Sequence, residues 1–218
     1  MSIINDTTRQ LVEQNEVLNK LFLGIDFANC NSIDLSIGNP KTKPPVAFYK
    51  AIGLILRQIR DLEENPHAYM KPSESFGCCQ KISEELAIEH NLPISDHHVL
   101  MTVGATNALD IMLKILIDKS KRDSSQDEII LFAPYFVEYR YQICNNCGLL
   151  VTVLTDSDYQ IDIETTREAI TPNTKAIIIN SPNNPTGVTY CESRLIQLAD
   201  LLNEKNKEYN TQIVVIED

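Results

Sequence analysis

The chain has 218 residues, 43% of them hydrophobic and 22% charged, which suits one good-sized globular domain or a domain with a small appendage. A formal net charge of -11 argues against a nucleic-acid partner, though not against a small anion held by backbone dipoles. No apolar run is long enough to span a bilayer, and the start, MSIINDTTRQLVEQNEVLNK, has neither a basic nor an apolar leader region, so a cytoplasmic protein without membrane contact is expected.

Residues 1 to about 30 have Leu11, Val12, Leu18, Leu21 and Phe22 near helical spacing and predict an amphipathic helical segment. IDLSIGNPKTKPP then reads as a short strand broken by Gly38, Pro40 and the pair Pro44-Pro45. Phe48, Ile52, Ile55, Leu56 and Ile59 predict a helix from about Val46 to Glu63. ENPHAYMKPSESFG is a loop, and a further helix covers roughly Cys78 to His90.

From Ser95 the texture changes to short apolar runs alternating with helical stretches. VLMTV (99–103), EIILFA (128–133), LLVTVLT (149–155), KAIIIN (175–180) and IVVIED (213–218) read as strands. Between them, helices are predicted in NALDIMLKILIDK, in PYFVEYRYQICNN, in DIETTREAI with Asp162 as N-cap, and in CESRLIQLADLLNEKN. This alternation predicts an α/β fold. Its sheet is mostly parallel, is covered by helices on both faces and follows the N-terminal helical segment.

The cysteines add little. CNNC (Cys144 to Cys147) has metal-site spacing, but there is no second pair at matching spacing, so no metal is expected. Cys78-Cys79 reads as two small packed residues.

In open α/β sheets ligands collect beyond the carboxyl ends of the strands. After VLMTV, GATNAL places the backbone N–H groups of Ala105 and Thr106 at a helix start, with the Thr106 hydroxyl as an extra donor. That is an anion site in kind, with an ordinary strand–helix turn as the alternative. After EIILFA, PYF sets two aromatics at a strand mouth, for stacking on a planar ligand or for core packing. After KAIIIN, SPNNPTG (181–187) holds two amides in a loop stiffened by two prolines, which suggests a hydrogen bond to a ligand atom. After IVVIE, Asp218 offers a carboxylate able to pair with a cationic ring nitrogen, or else a plain cap or exposed acid.

Taken together, MTVGATNAL, APYFVEYR and IIINSPNNPTGVTY resemble, in order and separation, the class I (fold type I) pyridoxal-phosphate aminotransferases, closest to their bacterial aspartate-type branch. LSIGNP and HAYMKPSESFG fit the N-terminal segment of that family, so the resemblance runs from about Asp34 to Asp218. It implies amino-group transfer between an amino acid and a 2-oxo acid. It also implies pyridoxal 5'-phosphate as cofactor and a homodimer with shared sites. Residues 1–45 would be an arm and small-domain segment, and residues 46–218 part of the cofactor-binding large domain.

By the resemblance, Ala105 and Thr106 fall at the cofactor phosphate and Phe136 on the ring face. Asn184 falls at the phenolic oxygen and Asp218 at the pyridine nitrogen, while Tyr69 falls where a tyrosine reaches the neighbouring subunit's phosphate. Gly38, with Asn184, falls near the substrate. FGCCQK departs from the pattern, with Lys81 where the family usually has an arginine.

Family members also continue beyond the pyridine acid to the Schiff-base lysine and two functional arginines. Those positions are not among the 218 residues, and Lys114 and Lys175 stand at the wrong places to replace the lysine. The chain alone is therefore expected to be catalytically inactive. The alternatives are an inactive module with weak cofactor binding or a purely interacting role, and a C–S lyase or other fold type I enzyme.

Overall fold

The computed structural model describes residue 9 and residues 42–61, 69, 77–121 and 123–218. The expected N-terminal helix, the strand in IDLSIGNP and Gly38 lie outside the described residues. The chain forms two compact units, residues 14–101 and residues 102–218 together with 1–13.

In the first unit, α1 (Val46–Arg60) ends three residues short of the expected Glu63. It has the anticipated apolar stripe, but no residue of it is buried, and Leu56 is 63% exposed. The helix α2 (Gly77–His90) buries Cys79 and Ser83. A single 3-10 turn, Asp96–His98, packs beside α2, with the Ser95 N–H donating to His98 Nδ1 at 3.0 Å.

The second unit contains α3 (Gly104–Leu116), β1 (Glu128–Ala133), α4 (Glu138–Asn145) and β2 (Leu149–Leu154). It continues through α5 (Ile163–Ala169), β3 (Thr174–Ile179), α6 (Glu192–Tyr209) and β4 (Val214–Glu217). The expected α/β class, parallel sheet and two-sided helical cover are all present. The four strands are parallel, in the order β2-β1-β3-β4. The inner strands β1 and β3 are buried almost throughout, as a parallel strand covered on both faces must be.

The alternation along these strands divides the core in two. Ile130, Phe132, Ile177 and Ile179 face one way, onto Leu198, Leu201 and Leu202 of α6 and Ile170 just after α5. Ile129, Leu131, Ala176 and Ile178 face the other way, onto Leu109 and Leu113 of α3 and Tyr139 and Ile143 of α4. Successive strand residues point to opposite faces, so one apolar run feeds two cores.

One strand prediction fails. Residues 99–103 are not a strand, and Leu100 and Val103 are 70% and 91% exposed. An apolar run becomes a strand only where a neighbour takes its N–H and C=O groups, and the described ladders run without it. The following helix instead begins three residues earlier than the apolar spacing indicates, so that GAT forms its first turn.

The Asp162 cap is present, its carboxylate accepting from the Thr165 N–H at 2.9 Å. That bond holds the Asp162 carboxyl below the usual carboxylate range. Replacing Asp162 with Ala is expected to cost about 1 kcal/mol, read as a lower midpoint in chemical denaturation. At the far end of α6, Asn210 closes the helix with φ +52°, in the left-handed region that asparagine tolerates.

Candidate functional site

The connectivity marks one place in the sheet. From β1 the chain crosses over α4 to β2 on one side. From β3 it crosses over α6, on the opposite face, to β4 on the other side. The two crossovers part between β1 and β3, so a crevice opens beyond the carboxyl ends of these strands. The residues that follow β1, β3 and β4 are Pro134-Tyr135-Phe136, the SPNNPTG loop and Asp218.

The loops are tied to one another. Asn183 is buried, and its Nδ2 donates at 3.0 Å both to the Pro134 carbonyl and to Thr186 Oγ1, joining the β3 loop to the β1 loop. The Asn183 N–H donates to the Val188 carbonyl at 2.8 Å, and the Gly187 N–H returns to the Asn183 carbonyl at 2.7 Å. Residue type alone leaves the two asparagines of this loop alike, whereas the resemblance singles out Asn184, and in the structure the two differ. Asn183 is committed to holding the loop. The exposed Asn184 has its backbone N–H anchored to Asn180 Oδ1 at 2.7 Å while its amide is left open.

Asp218 extends the β4 ladder, its N–H donating to the Ile179 carbonyl at 3.0 Å. Its own carbonyl accepts from Asn180 Nδ2 at 2.7 Å. Asn180 therefore bridges Asp218 and Asn184, which fixes the acid and the amide relative to each other. The Asp218 carboxylate accepts from the Tyr139 hydroxyl. The Tyr139 ring meets Phe136 edge to face, with centroids 5.5 Å apart and planes at 81°. Tyr139 is buried, and burial first, then the hydrogen bond and charge of Asp218, push its phenol well above the ordinary tyrosine range. It is thus a neutral donor facing a carboxylate.

Ala105 and Thr106 lie in the first turn of α3, whose N-cap, Val103, has no side-chain oxygen. Both are exposed, so the first-turn N–H groups are open to an anion. Gly104 opens that turn at φ +79°, a conformation that favours glycine. Gln142 Nε2 of α4 donates to the Thr106 carbonyl at 3.4 Å, and Asn146 Nδ2 donates to Asp110 Oδ1 at 2.8 Å, so α3 is braced against α4. A cavity of about 570 Å³ beside this turn is lined by Val103, Thr106, Asn107, Asp110, Gln142 and Asn145.

A cleft of equal volume, about 570 Å³, lies between α5 and α6, but its arginines are already engaged. Arg167 is paired with Glu204, and Arg194 with Asp156 at 3.2 Å.

Of the residues the sequence singles out, Phe136, Asn184 and Asp218 are brought into one bonded network, and the Thr106 carbonyl is tied to α4 through Gln142, with Ala105 in the same helical turn. Tyr69 belongs to the other unit and is fully exposed. Tyr139 and Asn180 are the members that sequence reasoning missed. Tyr139 stands three residues after Phe136, one helical turn on, but its partner is 79 residues away, and no local pattern announces such a contact.

Residues 31–207 match the model of the family described as "Aminotransferase class I and II". The chain is 30% identical over 181 residues to a probable aspartate aminotransferase of Methanocaldococcus jannaschii, covering 83% of this chain and 45% of that protein. It is 36% identical to an aspartate aminotransferase of Geobacillus stearothermophilus, over 78% of this chain and 40% of that one. The chain thus spans less than half the length of these curated relatives.

Among solved structures, an amino transferase from Eubacterium rectale superposes with a TM-score of 0.78 at 29% identity, over 100% of this chain and 55% of that one. An aspartate aminotransferase from Thermus thermophilus, solved with maleate, superposes with a TM-score of 0.73 at 26% identity, over 100% of this chain and 53% of that one. Sheet order, loop chemistry and these likenesses agree, and the chain belongs to the class I and II aminotransferases.

Proposed function

We propose that this chain forms the cofactor-holding part of a pyridoxal-phosphate-dependent aminotransferase, which moves an amino group between an amino acid and a 2-oxo acid. The observation that carries this reading is the network joining Asp218, Asn180, Asn184, Tyr139 and Phe136 beyond the carboxyl ends of β1, β3 and β4. The donor set fits the cofactor group by group. Open N–H groups of Ala105 and Thr106 suit a phosphate, and the Phe136 ring suits a pyridine face. The open Asn184 amide suits a phenolic oxygen, and the Asp218 carboxylate suits a protonated ring nitrogen.

When bound, pyridoxal phosphate supplies an electron sink for the substrate's α-carbon. The chain's own residues bind and orient. The α3 turn neutralises phosphate charge, and Phe136 sets the plane. Asp218 keeps a proton on the ring nitrogen by offering it a fixed negative partner, because an adjacent opposite charge favours the protonated form.

The wider reading follows the family. Residues 46–218 would belong to the large domain and residues 1–45 to an arm and small-domain segment. A second copy would complete the site through Tyr69, whose full exposure leaves it accessible to a partner. Gly38 would lie near the substrate carboxylate. The thiols of Cys144 and Cys147 are free, which suits a reducing cytoplasm. The matched relatives are named for aspartate, which makes aspartate the first amino donor to try.

The test is direct. Pyridoxal phosphate is added and followed by its visible absorbance through dialysis, and 2-oxo acid formation from aspartate is assayed in the longest continuous chain that carries this sequence. Dialysable, non-covalent binding is expected in the 218-residue chain, and retention of the cofactor with amino transfer in the longer one. Loss of all cofactor from the longer chain on dialysis, with no protection of the fold against heat, would sink the proposal.

A further inference from the structure

The cofactor reading gives no task to the CNNC motif at the end of α4. Cys144 and Asn145 are the last residues of that helix, Asn146 follows at φ -90° and ψ 7°, and the Cys147 N–H donates to the Cys144 carbonyl at 3.0 Å. That is a type I turn with a cysteine at its first and at its fourth position. Such a turn brings the two Cα atoms within about 7 Å, and a disulfide spans roughly 4.4–6.8 Å between them.

The turn is shaped by its surroundings while both thiols are free. Asn146 is buried, and its Nδ2 donates to Asp110 Oδ1 of α3 at 2.8 Å and to the Gln142 carbonyl at 3.0 Å. Gln126 Nε2 donates to the Cys147 carbonyl at 2.7 Å. Gly148 is packed so closely that a Cβ there would stand 2.7 Å from Ile117 Cδ1, just past α3. Cys147 itself adopts φ +65°, the left-handed conformation in which a helix usually ends on glycine. A cysteine there costs backbone energy that glycine would not. Both thiols are free and half-buried, so solvent-borne reagents reach them.

We propose that Cys144 and Cys147 are a thiol–disulfide modification site, a dithiol that a small-molecule disulfide oxidises reversibly to an internal Cys144–Cys147 bond without unfolding the chain. The inference stands apart from the cofactor reading, because none of its residues is assigned to the cofactor.

The chemistry balances as two exchanges. Burial pushes the Cys144 thiol up, against a smaller opposing pull from Arg140, so Cys144 is held back as a first nucleophile and Cys147 begins. The Cys147 thiol loses its proton, and its thiolate attacks one sulfur of the small disulfide. The small S–S bond breaks, and one small thiol leaves with that proton. Cys144 then loses its proton, attacks the Cys147 sulfur of the mixed disulfide and expels the second small thiol, which takes the proton. The two cysteines together give up two electrons, and the small disulfide receives them. The second exchange is intramolecular and is favoured by the preset turn, which holds the reacting sulfurs at high effective concentration. An added dithiol reverses both steps.

The new bond would tie the last turn of α4 to the residue beyond it and enclose Asn146, whose amide braces α3. The oxidised chain is therefore expected to melt a few degrees above the reduced one.

The experiment exposes the reduced 218-residue chain to oxidised glutathione, alkylates the remaining thiols and digests with trypsin. The fragment between Arg140 and Arg167 carries these two cysteines and no other. It is expected to lose two hydrogens, to take up no alkyl group, and to regain both thiols with dithiothreitol. Cys144→Ser and Cys147→Ser should each stop at a mixed disulfide with glutathione, more slowly in Cys147→Ser, and neither should show the rise in melting temperature. In denaturing urea the ratio of internal bond to mixed disulfide should fall several-fold. A fragment that keeps both thiols, that carries two glutathiones or that links to a second chain would overturn the inference. So would an internal bond that forms equally well in urea, or an oxidised chain that melts below the reduced one.

Discussion

Asp218→Asn is expected to weaken pyridoxal phosphate binding by about 10- to 100-fold, the range for losing a hydrogen bond between charged partners. Asparagine keeps the size of the side chain and can still meet the Tyr139 hydroxyl. It cannot supply the negative charge that holds a proton on a ring nitrogen. The backbone bonds of Asp218 to Ile179 and Asn180 do not involve the side chain and remain. The melting temperature should therefore change little while affinity collapses. Equilibrium titration by absorbance, with the thermal midpoint as control, checks both halves. Equal affinities in the two chains would show that Asp218 does not face the cofactor.

Ile177→Ala is expected to destabilise the fold by about 2–5 kcal/mol, the usual cost of emptying a large aliphatic site in a packed core. Ile177 is fully buried at the centre of β3, against the cluster shared by α5 and α6. It pairs with Ile130 on one side and Val215 on the other, so both neighbouring strands fix its backbone and neither can collapse into the space. Urea unfolding, with the midpoint falling at unchanged slope, is the measurement. The same strand carries Ile179 and, one residue on, Asn180. A loosened β3 should therefore also reduce cofactor affinity, whereas Asp218→Asn affects affinity alone.

The parts of the fold and of the site visible in the sequence were those that short-range chemistry specifies. Asp162 caps a helix because an acid one residue before a helical run has N–H groups within its reach. SPNNPTG is stiff because two prolines restrict the backbone wherever they occur, while its glycine permits the positive φ the turn needs. Spacing along the chain was a weaker guide wherever pairing had to be supplied from elsewhere. VLMTV had strand composition but pairs with none of the described strands, so the run remained exposed and the helix after it started at Gly104. The stripe on α1 had helical period and formed a helix, yet period says nothing about what covers the stripe, and none of it is buried.

By itself the sequence determined that β-rich apolar runs would alternate with helices, that GATNAL, PYF and SPNNPTG would end three of those runs and that an acid would end a fourth. It also determined which residue types, a carboxylate, an amide, an aromatic ring and open N–H groups, would stand at the ends. These follow from backbone restriction and from the burial of apolar side chains, both of which act over a few residues. Only the tertiary structure decided the strand order β2-β1-β3-β4, and with it which strand ends would meet. It also decided that Asn183 would be spent on the loop and Asn184 left open, and that Tyr139 would reach Asp218. The reason is that strand order and side-chain partnership depend on crossovers and packing between segments distant along the chain. Such contacts cost loop-closure entropy, which no local pattern records.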